Sequence, residues 1–392
     1  MKLRRKIRMG MVGGGPGSMI GPIHRIAALM DGQIDLVCGV FSSDREKSRV
    51  TAEELNLPPE RVYASYQDMM AREAALPEGE RMDFVAVVTP NHLHFPVAEA
   101  ALTNGFHVLS DKPATLNLAE AEKLRDLLAQ TGLYYGLTHT YAGYPMIKQA
   151  RAMVAQGVIG TLRKVLVEYP QGWLSDADIE SSSKQAEWRL DPARAGASSC
   201  VGDIGSHAAH LSEYVAGDTI TEICADLGSV VPGRTMDDDA TVLLRFTNGA
   251  RGVLIASQIC AGEENNLKLR VYGDRAGLEW NHTDPNTLLV KHLGKPAEIL
   301  RAGGPGLSEL AMANCRTPAG HPEGYLEAFA NHYRNFAALI RARLEGSEAS
   351  AAAQDVPGIG DALRGMRFIE SAVNASASQA KWYPLPPVAG IE

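Results

Sequence analysis

Cysteine is scarce in this chain, and the few present do not pair. Cys38, Cys200, Cys224, Cys260 and Cys315 are odd in number, widely spaced and without a Cys-x-x-Cys. That pattern argues against both a disulfide framework and a thiolate zinc site. Long apolar runs are missing too, since none approaches the roughly 20 residues that span a bilayer. The basic start Met1-Lys2-Leu3-Arg4-Arg5-Lys6 leads into Ile7–Val12, which is short, broken by Arg8 and followed by glycines. It reads as a first strand rather than an exported leader. No block of one charge sign occurs, and the formal net charge of −8 argues against a nucleic-acid partner. These absences predict a cytoplasmic protein of a reducing compartment, with no membrane or nucleic-acid partner.

What is present is length and order. At 392 residues the chain exceeds one compact core and suits two domains, expected at 1–138 and 139–392. Short apolar runs at 7–12, 34–41, 83–88, 106–110 and 133–138 alternate with helical patterns near 21–31, 44–55, 66–74, 92–104 and 117–131. That alternation predicts βαβ units, hence an α/β, doubly wound parallel sheet. Past Thr138 the pattern changes. A helix near 145–156, a strand at 161–169, an irregular stretch to about 198 and a helix near 203–216 are expected. Strands follow at 219–231, 239–247, 250–260, 266–273 and 276–281, then helices near 322–345 and 355–376. The turn-separated strands predict a second α/β domain with a large, mostly antiparallel open sheet. Residues 302–308 read as a surface loop.

Val12-Gly13-Gly14-Gly15-Pro16-Gly17-Ser18-Met19-Ile20-Gly21 follows the first strand and opens a helix. Glycines there let backbone approach a pyrophosphate at a positive helix N-terminus. The loop is longer than Gly-x-Gly-x-x-Gly, because Gly21, as the third glycine, arrives three residues late. At the end of the second strand Ser42 takes the place where NAD enzymes carry an acidic residue. Ser42, Ser43 and Arg45 could hold a 2′-phosphate, or Arg45 is a solvated helix-start residue, so NAD and NADP both stay open. Lys112, in Ser110-Asp111-Lys112-Pro113, closes the fourth strand, beyond whose carboxyl end an open sheet binds ligands.

Together with Thr89-Pro90-Asn91-His92-Leu93-His94, these motifs give the chain a resemblance to the Gfo/Idh/MocA family, named for glucose-fructose oxidoreductase, inositol dehydrogenase and a rhizopine-catabolism protein. The family's Pro-Asn-x-x-His corresponds to Pro90, Asn91 and His94, its Glu-Lys-Pro to Asp111, Lys112 and Pro113, and its Asp-x-x-x-His to Asp203 and His207. Asp for Glu at 111, the stretched glycine loop and the long 171–198 segment depart from the pattern. The resemblance covers essentially the whole chain. It implies a dinucleotide domain followed by an α/β domain whose open sheet forms an oligomer interface, here a homodimer or homotetramer.

Alcohol oxidation needs a base of near-neutral pKa beside the departing hydride. His207 fits, with Asp203 four residues earlier on one helix face. In isolation Asp-x-x-x-His is also an ordinary helix cap plus a packed histidine. The resemblance implies His207 in proton transfer, Asp203 beside it and Lys112 on substrate oxygen and cofactor. Cofactor contacts are expected from Gly13, Gly15, Gly17, Ser18, Met19, Ile20, Thr89, Pro90, Asn91, His94, Asp111, Lys112, Pro113 and His139. Substrate contacts are expected from Lys112, His139, Tyr141, Tyr144, Asp203 and His207. Trp173, Gln185, Trp188 and Arg189 in the irregular segment are further candidates for stacking on or binding a carbohydrate, with Gln258 and His321 weaker ones. His207 and His210 lack a fitting third ligand, so no metal is expected. The expectation is an NAD(P)-dependent oxidoreductase of a sugar, glycoside or inositol-like polyol. The alternatives are an NAD-dependent glycoside hydrolase working by transient oxidation and, third, a nucleotide-binding sensor.

Overall fold

A computed structural model describes residues 5–179 and 183–388. The first four residues of the basic start and 180–182 of the irregular stretch therefore lie outside the described residues. The chain divides into two compact units. The first holds residues up to Thr138 together with Phe329–Ala362, and the second holds His139–Ala328 and Leu363 onward.

The first unit is built on β1 (Ile7–Gly13), β2 (Ile34–Val40), β3 (Phe84–Val88), β4 (His107–Ser110) and β5 (Tyr135–Leu137). They pair in parallel in the order β2-β1-β3-β4-β5. All five residues of β3 are buried, as a strand covered on both faces requires. The connecting helices are α1 (Ile20–Leu29), α2 (Arg45–Glu54), α3 (Tyr66–Ala74), α4 (His94–Thr103) and α5 (Leu118–Thr131). Their starts follow capping chemistry. Asp44 Oδ1 accepts the Glu46 and Lys47 amides, and Asn117 Oδ1 accepts the Glu120 amide while Glu120 Oε2 accepts that of Leu116. Val85, Val87, Val97, Ala101, Phe106, Val108 and Leu124 form the core under α4 and α5.

The helix Tyr325–Glu345 corrects the two-block division expected from sequence. Phe329, Tyr333, Phe336, Ala337 and Ile340 recur at helical spacing and are fully buried. Phe336 meets Phe84 of β3 edge to face, with ring centroids 5.5 Å apart. An amphipathic pattern declares that a helix has a buried face, but not which sheet it covers.

In the second unit, β6 (Leu162–Pro170), β7 (Ile220–Gly228), β8 (Asp239–Phe246), β9 (Arg251–Ser257), β10 (Lys268–Gly273) and β11 (Ala276–Asn281) answer the expected strands. The sheet extends further, through β12 (Thr287–His292) and β13 (Glu298–Arg301) at one edge and the two-residue β14 (Tyr383–Pro384) at the other. The order is β13-β12-β11-β10-β6-β9-β8-β7-β14, antiparallel throughout except for β6 beside β9. One face buries Ala240, Val242, Leu244, Leu254 and Ala256, while the other carries Thr241, Leu243 and Ile255 to solvent.

Two regions differ from expectation. The one expected at 203–216 begins as a π turn, Val201–Gly205, in which the Ser206 amide reaches back to the Val201 carbonyl, and continues as Ser206–Ala216. The irregular stretch contains short helices at Lys184–Arg189 and Pro192–Ala195, capped by Ser183 and Asp191. No helix among the described residues is long and apolar enough to cross a membrane.

Candidate active site

In the first unit the sheet order reverses at β1, so the crevice beyond β1 and β3 is the ligand position of an open α/β sheet. The glycines there are dictated by close backbone packing. A Cβ on Gly13 (φ +92°) would lie 2.1 Å from the Val88 carbonyl oxygen, and one on Gly15 would lie 2.4 Å from that of Phe41. One on Gly21 would lie 2.5 Å from Gly14 Cα. Gly21 thus serves as the close-packing third glycine despite arriving late, and the extra residues, with Gly17 at φ +76°, project as a longer loop. Ser18 anchors that loop, its amide on the Gly15 carbonyl and its hydroxyl accepting the Gly21 amide at 3.0 Å. Met19 is exposed, and Ile20 opens α1. This cradle fits a pyrophosphate.

At the end of β2, Ser42 Oγ accepts the Asp44 amide, the Asp44 carboxylate caps α2, and Ser43 and Arg45 are exposed. At the end of β3, Asn91 is buried and Thr89 and Pro90 are half-buried. His94, expected as a cofactor contact, is placed otherwise. Its Nδ1 lies 2.6 Å from the Pro113 carbonyl oxygen and its Nε2 2.8 Å from that of Thr89. Both ring nitrogens thereby face carbonyl oxygens of the turns after β3 and β4, one of them as the N–H donor.

Asp111 and Lys112 follow β4, with a cis peptide before Pro113. Asp111 Oδ1 accepts the Lys112 amide and the Thr138 hydroxyl, each at 2.9 Å, and Oδ2 faces His24 Nε2 at 3.7 Å. Burial pushes the Asp111 carboxyl up, but His24, Lys112 and His94 outweigh it and hold it well below the usual carboxylate range.

In the second unit a cluster forms around His207. His139 is buried, stacks on His210 with centroids 4.0 Å apart, and brings Nδ1 to 3.4 Å from His207 Nδ1. Tyr141 meets His207 edge to face at 4.9 Å. The Tyr141 and Tyr169 hydroxyls are hydrogen-bonded to each other, Tyr169 donates to Asn265 Oδ1 at 2.6 Å, and Asn265 Nδ2 donates to Tyr141 at 3.0 Å. Burial raises both phenols, Tyr169 most, so they remain donors. Gln171 donates to Asn265 Oδ1 at 2.6 Å and accepts from Trp173 Nε1 at 3.1 Å.

Asp203 Oδ2 receives Gln258 Nε2 at 3.0 Å and lies 3.4 Å from Arg189 Nε. The Arg189 guanidinium sits 4.2 Å above the Trp188 ring and 6.0 Å from that of Trp173, and donates to Gln185 Oε1 at 2.6 Å. Tyr144 is packed against Trp280 and His282 as a core residue. Burial drops the His282 imidazole to about 4. His321, expected at the substrate, stands exposed in its own turn with Nδ1 on the Pro318 carbonyl. Among the described residues no three or more His, Cys, Asp or Glu side chains are grouped to hold a metal ion.

Sequence reasoning missed His24, Tyr169, Gln171, Asn265, His282 and Tyr333. His24 stands three residues after Gly21 on the helix the glycine loop opens, which was a usable signal. Gln171 directly follows β6. The others have no local signature.

Residues 7–139 match the family model described as "Oxidoreductase family, NAD-binding Rossmann fold", and residues 147–279 match that of the GFO/IDH/MocA C-terminal domain. An uncharacterised oxidoreductase of Bacillus subtilis, YfiI, is 35% identical over 97% of each chain. Among solved structures, an oxidoreductase from Sinorhizobium meliloti is 42% identical, with a TM-score of 0.86 over 97% of this chain and 99% of that one. An inositol dehydrogenase homologue from Azotobacter vinelandii, solved with NAD+, is 36% identical with a TM-score of 0.92 over 97% of both chains. The same homologue was also solved with NADH and myo-inositol.

Proposed function

The chain belongs to the GFO/IDH/MocA oxidoreductases with an NAD-binding Rossmann domain, and on that premise we propose that it oxidises a secondary hydroxyl of a neutral cyclic polyol or sugar, inositol-like rings first. NAD, when bound, supplies the hydride acceptor. The observation that carries the reading is the charge balance around Asp203. Its carboxylate is met by Arg189 and Gln258, and the wall continues through Gln171, Asn265 and Tyr141 as neutral hydrogen-bonding groups. Such a wall suits hydroxyls in both donor and acceptor roles and gives an anionic substrate no unbalanced cation. The Azotobacter homologue crystallised with myo-inositol supports the same class.

In this reading the chain's residues divide the work. His207 takes the hydroxyl proton at Nε2, which requires its Nδ1–H to donate to His139 Nδ1, the nitrogen 3.4 Å away. Asp203 orients the substrate, and Lys112 holds the reacting oxygen. Gly13, Gly15, Gly17 and the first amides of α1 hold the pyrophosphate. Thr89, Pro90 and Asn91 line the nucleotide beyond β3, and Ser42 and Ser43 face its adenosine ribose.

We also infer a homodimer or homotetramer joined through the open sheet. Leu243 and Ile255, 39% and 38% exposed, stand on one solvent-facing side of β8 and β9. Leu243→Asp is expected to yield monomers by light scattering.

The test is to incubate the protein with NAD or NADP and a panel of inositols, monosaccharides and aryl glycosides, following reduced nicotinamide and released aglycone together. Accumulation of reduced cofactor is expected, and Lys112→Ala should abolish it while retaining NAD binding. Aglycone release without net reduction would assign the redox-neutral glycosidase instead.

A further inference from the structure

We propose that His24 and Tyr333 are positioning residues for the Lys112 turn, with the Tyr333 hydroxyl fixing the tautomer of His24 and His24 directing an N–H at Asp111. All of these residues lie in the first unit, and the inference rests on the reading of Lys112 given above.

His24 lies on α1 with none of its surface exposed. A buried imidazole needs partners for both ring nitrogens. Nδ1 lies 2.6 Å from the Tyr333 hydroxyl, and Nε2, which makes no hydrogen bond, faces Asp111 Oδ2 at 3.7 Å. The Phe329 ring, 4.6 Å away and edge-on, holds the imidazole in its plane.

Direction follows from the chemistry of the ends. The Asp111 carboxylate can only accept, so it calls for the ring proton on Nε2 and leaves Nδ1 to take the proton of the Tyr333 hydroxyl, whose phenol burial and the Asp111 charge hold well above its ordinary value. Nδ1 of His24 then accepts, and the ring proton sits on Nε2, the nitrogen turned to the carboxylate. The groups facing Asp111 are His24 on α1, His94 on α4, Lys112 on its own turn, Tyr135 on β5, and Tyr333 beyond His24. With Oδ2 turned to His24, Oδ1 is left to receive the Lys112 amide and the Thr138 hydroxyl. The carboxylate therefore clamps the backbone of the lysine to the end of β5. His94 grips the other side of the same turn through the Pro113 carbonyl.

The experiment pairs nitrogen NMR of 15N-histidine-labelled full-length protein with steady-state kinetics on the substrate the panel identifies. His24 is expected to carry its ring proton on Nε2, shifting to a mixture of tautomers in Tyr333→Phe. His24→Leu is expected to lower kcat roughly tenfold to a hundredfold, the scale of a misplaced reacting group, with KM within about twofold. His24→Gln, which keeps a donor toward Asp111, should recover most of it. A packing role would favour Leu over Gln, so the reverse order would overturn the proposal, as would an Nδ1–H tautomer in the parent. Tyr333→Phe reads the tautomer should His24→Leu fail to fold. Lys112→Ala in the same assay keeps the two readings apart: full turnover there removes Lys112 from the chemistry, a result on which the tautomer does not depend.

Discussion

The Nδ1 atoms of His139 and His207 lie 3.4 Å apart, so at most one of them carries the proton between them. His139 is fixed by stacking face to face on His210, with the ring planes only 4° apart. The tautomers of the two rings are therefore coupled: with the proton on His207 Nδ1, its Nε2 is the basic nitrogen.

His207→Gln is expected to lower kcat by about 10²- to 10⁴-fold, the usual span of a general base. His139→Phe keeps the stack but removes the nitrogen, and is expected to lower kcat about tenfold. NAD binding measured by fluorescence should survive the His207 change, and its loss would count against a base confined to proton transfer.

Arg189 spans Asp203 and Trp188, both partly exposed, so removing it uncovers a carboxylate rather than opening the core. Arg189→Ala is expected to raise the substrate KM about tenfold with a smaller change in kcat, the scale of one charge-assisted hydrogen bond. An equal fall in kcat and kcat/KM would instead place Arg189 at the transition state.

At the end of β2, Ser42 stands where an acidic residue would repel a 2′-phosphate. Ser42→Asp is expected to lower kcat/KM with NADP at least about tenfold while leaving NAD within a few-fold. Parallel titrations with the two cofactors check this.

The glycine loop, the lysine turn and the five strands of the first unit were legible because each depends on local chemistry: glycines where backbone meets backbone, an unbroken apolar run for a strand covered on both faces. Asp203 and His207 stand out in the sequence through their four-residue spacing, but a π turn rather than a regular helix carries the first of them. Asn265 and Tyr169 were not legible, because what makes them part of the site is a hydrogen-bond ring closed by residues far apart in sequence. Strand β12, which does alternate, was overlooked, and β13 and β14 were missed for a related reason. β14 has two residues and β13 is mostly exposed, so neither has an inward alternation to detect.

Stability should decline as pH falls from about 6.5 to 4. Burial, and then the nearby Arg343 charge, brings His107 to about 4, and its Nδ1 accepts the Tyr134 amide at 2.8 Å. Its unfolded value is 6.5, so between these values the unfolded chain binds the extra proton and is favoured. The contribution is complete above 6.5 and amounts to about 3 kcal/mol at most, at about 1.4 kcal/mol per pH unit. Denaturant midpoints across this range should fall, and His107→Gln should flatten the slope.

Glu73 is fully buried and takes donors from Arg61 Nε and Nη2 at 2.8 Å, Tyr63 at 2.6 Å and the Met82 amide at 3.0 Å. Glu73→Ala strands all of them and is expected to cost about 3–5 kcal/mol by urea unfolding. A loss under about 1 kcal/mol would mean that water reaches the vacated site.

The C-terminal part of the chain supplies Phe329–Ala362 to one unit and everything after it to the other. On the ribosome, where N-terminal segments emerge first, β3 must therefore wait with its Phe84 face uncovered until the Phe336 helix has been made. Neither unit closes on its own translation schedule. A premature stop between β13 and Ala362 leaves two incomplete units rather than one finished and one missing, and the gene cannot be cut at Thr138 into two working pieces.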